Sequence, residues 1–141
     1  MTRLLQLIIP GEPCGKGRPK FTRKGFAYTP AKTRNYEATI KAIFAQAYPS
    51  FVPLDGPLQV TVIAYMGIPA SASGKAKVAM LSQKTWPTKR PDLDNIFKTL
   101  DALQGLAFRD DSIIVSATMH KVYSDRPRLE INVVERKVAS A

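Results

Sequence analysis

Five of the eleven acidic residues in this chain fall in one short window: Asp92, Asp94, Asp101, Asp110 and Asp111. The rest is strongly basic, with a formal net charge of +10. Carboxylates held close repel, and each raises its neighbours' pKa unless a cation sits among them. A fold for this chain must therefore spread these side chains over separate elements or gather them around a cation. The pattern suits a protein that draws in a polyanion over most of its surface and holds a divalent metal against it at one point.

The 141 residues fit one domain with a core of its own. We expect a domain over residues 1–135 and a frayed tail over 136–141. The 21 Lys and Arg against 11 Asp and Glu point to nucleic acid or an anionic membrane. No apolar run approaches the ~20 residues of a spanning helix, so no membrane partner is expected. The N-terminus lacks the apolar length and small-residue cleavage site of a signal peptide. Cys14 stands alone, which removes disulfide frameworks and cysteine-based zinc sites. The expected location is the cytoplasm, nucleoid-associated through DNA binding.

Periodicity predicts a strand over Leu4–Ile9, ended by Pro10-Gly11. A loop rich in Gly and Pro runs from there to about Thr29. Thr29-Pro30 reads as an N-cap and first helical position for a helix over Ala31–Ala47, with Tyr36, Ile40 and Phe44 as its apolar stripe. A strand is expected over Leu58–Met66, with Leu58, Val60, Val62 and Ala64 on one side. Ala70–Lys77 reads as a flexible loop or a short helix. A second main helix begins near Asp94 and stops before Gly105. Two strands follow, about Ser112–Tyr123 and Arg128–Val134, joined by the turn Ser124-Asp125-Arg126-Pro127. The order β-α-β-α-β-β defines an α+β domain with a mixed sheet of about four strands and two main helices.

Within the acidic window, Asp92 and Asp94 share a face only in extended backbone, because positions i and i+2 diverge on a helix. Asp94, Lys98 and Asp101 follow at i, i+4, i+7 as a polar face, with Ile96, Leu100 and Leu103 as the buried face. Asp110 and Asp111 need only return beside the start of this helix to complete a pocket of three or four carboxylates. Such hard oxygen ligands suit Mg²⁺ or Mn²⁺ and not zinc. The ordinary explanation is that Asp94 is an N-cap, Asp92 favours the helix dipole, and Asp110-Asp111 is a turn. Spacing alone does not separate these readings. An EF-hand is excluded, because Asp92-Leu-Asp94-Asn95 lacks the loop's third ligand and its glycine.

No acid lies between Glu12 and Glu37, a stretch carrying Lys16, Arg18, Lys20, Arg23, Lys24, Lys32 and Arg34. Phe21, Phe26, Tyr28 and Tyr36 are interleaved with them. Cations neutralise phosphates, and aromatics stack on unpaired bases. The plain alternative is a solvated basic loop, and Tyr36 lies on the apolar stripe, which assigns it to the core. Lys84, Lys89 and Arg90 add charge beside the acidic pair, either to hold DNA or as a solvated run. Trp86 reads as packing or a loop anchor. His120, the single histidine, has no partner nearby in sequence to complete a site.

Arg90-Pro-Asp-Leu-Asp-Asn95, with Lys98, Asp101-Ala-Leu103, Gly105 and Asp110-Asp111, resembles the RusA-like Holliday junction resolvases, endodeoxyribonucleases common in prophages. Gly15-Lys-Gly-Arg-Pro-Lys-Phe21 and Tyr28-Thr-Pro-Ala-Lys-Thr-Arg34 are similar to that family's opening. The resemblance implies a magnesium-dependent homodimer that nicks four-way DNA junctions symmetrically. It puts catalytic and metal-binding carboxylates on Asp92, Asp94 and Asp111, a catalytic lysine on Lys98, and Asp110 as a further ligand. From the charge bias and the interleaved aromatics, DNA contacts are expected from Lys16, Arg18, Lys20, Phe21, Arg23, Lys24, Lys32 and Arg34, with Lys89 and Arg90 beside the acidic pair. Lys98 and Asp101 stand three residues apart where the family pattern has four, which sets Asp101 apart from the other acids. The competing reading is a non-catalytic single-strand or junction DNA-binding module, and a third is a basic structural protein.

Overall fold

A computed structural model describes residues 3–136. Four strands form the main sheet: β1 (Arg3–Pro10), β4 (Leu58–Gly67), β5 (Ile114–Ser124) and β6 (Arg128–Glu135), in the order β1-β6-β4-β5. β4 is antiparallel to β6 and parallel to β5, so the sheet is mixed. Period-2 alternation decides which side is buried. Leu5, Leu7 and Ile9 of β1 face the core together with Leu129, Ile131 and Val133 of β6 and Leu58, Val60, Val62 and Ala64 of β4.

Helix α1 (Ala31–Ala47) covers this face with Tyr36, Ile40 and Phe44. Its start differs from expectation. Pro30 occupies the cap position and no side chain caps the helix, because Thr29 lies one residue too early. Thr33 in the first turn instead turns its buried hydroxyl to accept from the Gly17 N–H at 2.9 Å. At the far end the Tyr48 hydroxyl accepts from the Gln6 N–H at 2.9 Å and donates to the Gln6 carbonyl at 3.2 Å, tying α1 to β1.

Three further elements depart from the expected order. The basic loop contains a two-stranded hairpin, β2 (Lys20–Phe21) with β3 (Ala27–Tyr28). The small, polar 70–77 stretch does form a helix, α2 (Gly74–Leu81), because the Ser73 hydroxyl accepts from the Ala76 N–H. The expected second helix is split into α3 (Leu93–Lys98) and a 3₁₀ stretch (Thr99–Leu103). Thr99 is buried, and its hydroxyl donates to the Ile96 carbonyl at 2.6 Å, occupying an acceptor at the end of α3. The expected faces survive the split: Ile96, Leu100 and Leu103 are buried, while Asp94, Lys98 and Asp101 are exposed.

The turn 124–127 links β5 to β6, but these strands do not pair, since β4 lies between them. A parallel pair cannot be closed by a tight turn and needs a crossover. The crossover from β4 to β5 contains α2, α3 and every aspartate of the acidic window. Its return leg is pinned by main-chain bonds from Leu54 N–H to the Ala107 carbonyl (2.8 Å) and from Arg109 N–H to the Leu54 carbonyl (2.9 Å). Fully buried Leu54 and Phe108 fill the space beneath. β5 then starts with an irregularity: Ile114 is opposite Leu58 but Ser116 is opposite Gln59. Val115, at this irregularity, is squeezed out into solvent.

Of the expected tail, Arg136 is placed, its N–H donating to the Pro57 carbonyl at 2.7 Å; residues 137–141 lie outside the described residues. No described helix is long and apolar enough to cross a membrane. Truncating Phe108 to alanine should cost about 3–5 kcal/mol in urea unfolding, the range for emptying a packed aromatic site. A loss below about 1 kcal/mol would show that this segment is not anchored by packing.

Candidate active site

The chain enters α3 along an exposed strap, and a lysine from β5 holds that strap down. Lys121 shares the core-facing side of β5 with Ala117 and Met119. Its ammonium donates to the Lys89 carbonyl at 2.8 Å and the Pro91 carbonyl at 3.0 Å. These contacts fix the backbone on the threshold of Asp92. Asp92 itself is the N-cap residue in extended backbone, yet its side chain makes no capping bond. Asp94 sits in the first turn and is not the cap. The ordinary-cap explanation therefore leaves both carboxylates without a structural task beyond favouring the helix dipole.

One turn on, the Lys98 ammonium lies 3.8 Å from the Asp94 carboxylate, with side chains 58% and 72% exposed. An exposed pair of this kind contributes only about 0.3–0.5 kcal/mol. Both groups thus stay open to a third, charged partner.

The basic N-terminal segment is laid across this turn. The Lys16 N–H donates to the Asn95 carbonyl at 2.8 Å. A Cβ on Gly15 would stand 2.8 Å from Pro91 Cβ and 3.1 Å from Asn95 Cβ, so only glycine lets the two backbones come this close. Between loop and helix lies a cleft of about 580 Å³ lined by Lys16, Arg18, Lys32, Arg90, Asp92 and Asn95 together with the Pro13–Gly17 backbone. Four basic residues and one carboxylate share its lining. Beneath the loop, burial raises the pKa of the Tyr36 hydroxyl, which has no hydrogen-bond partner among the described residues. Tyr36 is a core residue, as its place on the apolar stripe implies.

The remaining acids separate by role. Asp101 accepts from Lys16 Nζ at 3.1 Å and from Gln104 at 2.9 Å, and Glu37 lies 3.7 Å from the same ammonium. Lys16 is therefore partly neutralised within the protein and anchors the loop, and Asp101 is its structural partner. Asp110 caps the short 3₁₀ turn Asp111–Ile113, accepting from the Ser112 N–H at 2.8 Å and from the Ser112 hydroxyl. These bonds, the hydroxyl first, lower its pKa below the ordinary carboxylate value, with help from Arg109. Asp111 is exposed in that turn.

The expected pocket of three or four carboxylates is not assembled: among the described residues, no three Asp, Glu, His or Cys side chains gather at metal-binding distance. The donors still fit a magnesium-type ion in an open arrangement. Mg²⁺ is commonly held by one or two carboxylates plus substrate phosphates, not by an all-protein cage. Asp92 supplies oxygens with no capping bond, and Asp94 supplies oxygens only weakly paired with Lys98, all of the right hardness.

Lys20, Phe21, Arg23 and Lys24 ride on the β2–β3 hairpin, which turns through Gly25 at φ +85°. Phe21 is 70% exposed, and Phe26 and Tyr28 are exposed beside it. Lys32 and Arg34 project from the first turn of α1, and Lys89 and Arg90 from the strap. Trp86 is exposed and is not a packing residue, which corrects that expectation. The Lys121 contact was missed, since a lysine bonded to carbonyls about thirty residues away leaves no local pattern.

The architecture is a mixed-sheet α+β domain with a cationic loop closed over an aspartate-bearing helix. The chain belongs to the endodeoxyribonuclease RusA family, whose sequence model matches residues 10–134. It is also similar to the uncharacterized protein YqaN of Bacillus subtilis (strain 168), 32% identical over 137 residues covering 93% of this chain and 96% of that protein. The substrate of the family is DNA, and its nucleases generally depend on divalent metal.

Two outcomes are expected from this geometry. Lys121→Met should speed amide exchange at Ile96, whose N–H donates to the Asp92 carbonyl, while Lys121→Arg should largely restore protection. Equal protection in all three proteins would remove Lys121 from the support of the site. Because the folded-state pKa of Asp110 is depressed, its ionised form stabilises the turn above the unfolded value of about 3.9, and that contribution is lost as pH falls through the folded value. Ser112→Ala should move the Asp110 carboxyl titration, followed by NMR, upward toward about 3.9, and no movement would contradict the assignment.

Proposed function

We propose that this protein is a magnesium-dependent, structure-specific endodeoxyribonuclease that resolves four-way DNA junctions by paired symmetric nicks. The observation that carries the reading is the cleft between the Pro13–Arg18 loop and α3, lined by Lys16, Arg18, Lys32 and Arg90 together with Asp92. A phosphodiester drawn into such a cleft meets positive charge on several sides and the carboxylates Asp92 and Asp94 at the turn of α3. Asp92 and Asp94 would hold Mg²⁺, or Mn²⁺ in its place, with Asp111 and the neighbouring Asp110 as further ligands from the return leg. The ion would supply Lewis acidity at the phosphodiester and lower the pKa of the attacking water.

Lys98 stabilises negative charge that develops on the phosphate, a role its exposed, weakly paired ammonium leaves open. Lys20, Arg23, Lys24, Lys32, Arg34, Lys89 and Arg90 hold the junction arms by phosphate contacts, and Phe21 offers a stacking face. Arg18 and Lys16 complete the cleft, Lys16 chiefly by fixing the loop. A junction needs two matched cuts, and a homodimer with two identical sites provides them by symmetry. A DNA substrate places this activity in the cytoplasm.

The non-catalytic reading, a single-strand or junction-binding module, is favoured by one observation: no preformed group of three metal ligands among the described residues. Asp94→Asn separates the two. On synthetic four-way junctions with Mg²⁺, the variant should lose about 100-fold or more in cleavage while binding the junction as tightly as before. Intact junctions after incubation with the unaltered protein and Mg²⁺ or Mn²⁺ would falsify the enzyme reading.

A further inference from the structure

The stretch from α2 to α3 carries an exposed aromatic residue that does not line the cleft, Trp86. From Gly56 to Pro91 there is no acidic residue, while Lys75, Lys77, Lys84, Lys89 and Arg90 all fall in its second half. All five side chains are exposed, and none forms an ion pair among the described residues. In their midst stands Trp86, the only tryptophan, 58% exposed. Single exposed apolar residues are common and need no explanation. This one differs because the backbone on both sides is tied down. Before it, the N–H groups of Lys84 and Thr85 both donate to the Ala79 carbonyl, at 2.9 and 3.2 Å. After it, Pro87 is buried and the Lys121 ammonium grips the carbonyls of Lys89 and Pro91. The ring is held out in water by an anchored strap and not by a loose loop.

We infer that Trp86 is a stacking platform for an unpaired DNA base, with the surrounding lysines and Arg90 neutralising the phosphates that flank it. Charge complementarity selects the occupant. A protein partner for this surface would have to be strongly acidic, and a second copy of a chain of net charge +10 is not. A nucleic acid strand supplies both the anionic backbone and an aromatic face for the indole. Trp86 lies six residues before Asp92, on the same strap whose end Lys121 fixes. A base held on Trp86 therefore sets the path of the strand leading to the carboxylates. This contact is separate from the β2–β3 hairpin. It rests on DNA being the substrate, though not on cleavage.

Because the chain has one tryptophan, its emission reports on this site alone. Titration in EDTA with a forked oligonucleotide carrying unpaired thymines should quench Trp86, and the fully paired duplex of matching sequence should quench it far less. Trp86→Ala should weaken binding to the forked DNA by about 5- to 150-fold, the effect of losing one stacked base, with duplex affinity within about twofold of the original. Trp86→Phe should recover most of the loss. The exposed position keeps the variants folded, which circular dichroism checks. Unchanged emission at saturating forked DNA, or equal binding by Trp86→Ala, overturns the inference. So does an emission shift that follows protein concentration without DNA, which would assign the surface to contact between copies. Failure to bind any DNA would overturn the DNA reading itself, a result distinct from binding without quenching.

Discussion

A parallel strand pair cannot be closed by a turn, and this constraint shapes everything around the site. β4 and β5 run parallel, so the chain must leave the sheet after Gly67 and travel back before Ile114. Both α2 and α3 and all five clustered aspartates ride on that excursion. A long crossover carries large conformational entropy, and it positions side chains only if it is tied back often. The ties are visible in turn: Ala79 to Lys84 and Thr85, Lys121 to Lys89 and Pro91, buried Ile96 and Leu100 under α3, and Leu54 against Ala107 and Arg109. The loop of Gly15 and Lys16 closes over the outside, its backbone bonded directly to Asn95.

Within the protein, the five neighbouring aspartates are dispersed over separate elements and partners. Asp101 is taken by Lys16 and Gln104, and Asp110 by Ser112 with Arg109 nearby. Asp94 has Lys98 one turn away, at a distance and exposure that make the pair weak. Asp92 and Asp111 make no side-chain hydrogen bond or ion pair among the described residues. Acids that served only stability would show the opposite distribution, with partners for the exposed ones and caps where helices begin. At the start of α3, Asp92 has neither and Asp94 has only its weak pair with Lys98, and Asp92 lines the cleft under the cationic loop.

Much of this was legible in the sequence, for reasons that particular residues explain. β1 and β4 were visible because one face of each is fully buried, so Leu5, Leu7, Ile9 and Leu58, Val60, Val62 alternate cleanly. α1 was visible from Tyr36, Ile40 and Phe44, one turn apart. The altered spacing from Lys98 set Asp101 apart from the other acids, and in the structure its carboxylate accepts from Lys16 and Gln104. The strand order was not legible, because a short turn between β5 and β6 suggests neighbours and only the sheet shows β4 lodged between them. The break in the second helix turns on one buried hydroxyl, that of Thr99. The outward position of Val115 depends on a register shift that periodicity does not encode. Lys121 was invisible because its partners are carbonyl oxygens, which every residue carries.

The open geometry of the site has a thermodynamic consequence. In the free protein, Lys16, Arg18, Lys32 and Arg90 line the same cleft as Asp92, and their field opposes a divalent cation. A phosphodiester entering the cleft neutralises part of that field and brings oxygens of its own. Each ligand would then strengthen the binding of the other by the same factor, since coupling between two sites is reciprocal. A cage of three carboxylates would hold metal whether or not DNA was present. On the proposed function, carboxylates spread over α3 and the return leg beside a cationic cleft would instead make metal affinity conditional on the substrate, confining phosphodiester chemistry to DNA already seated between the basic loop and α3.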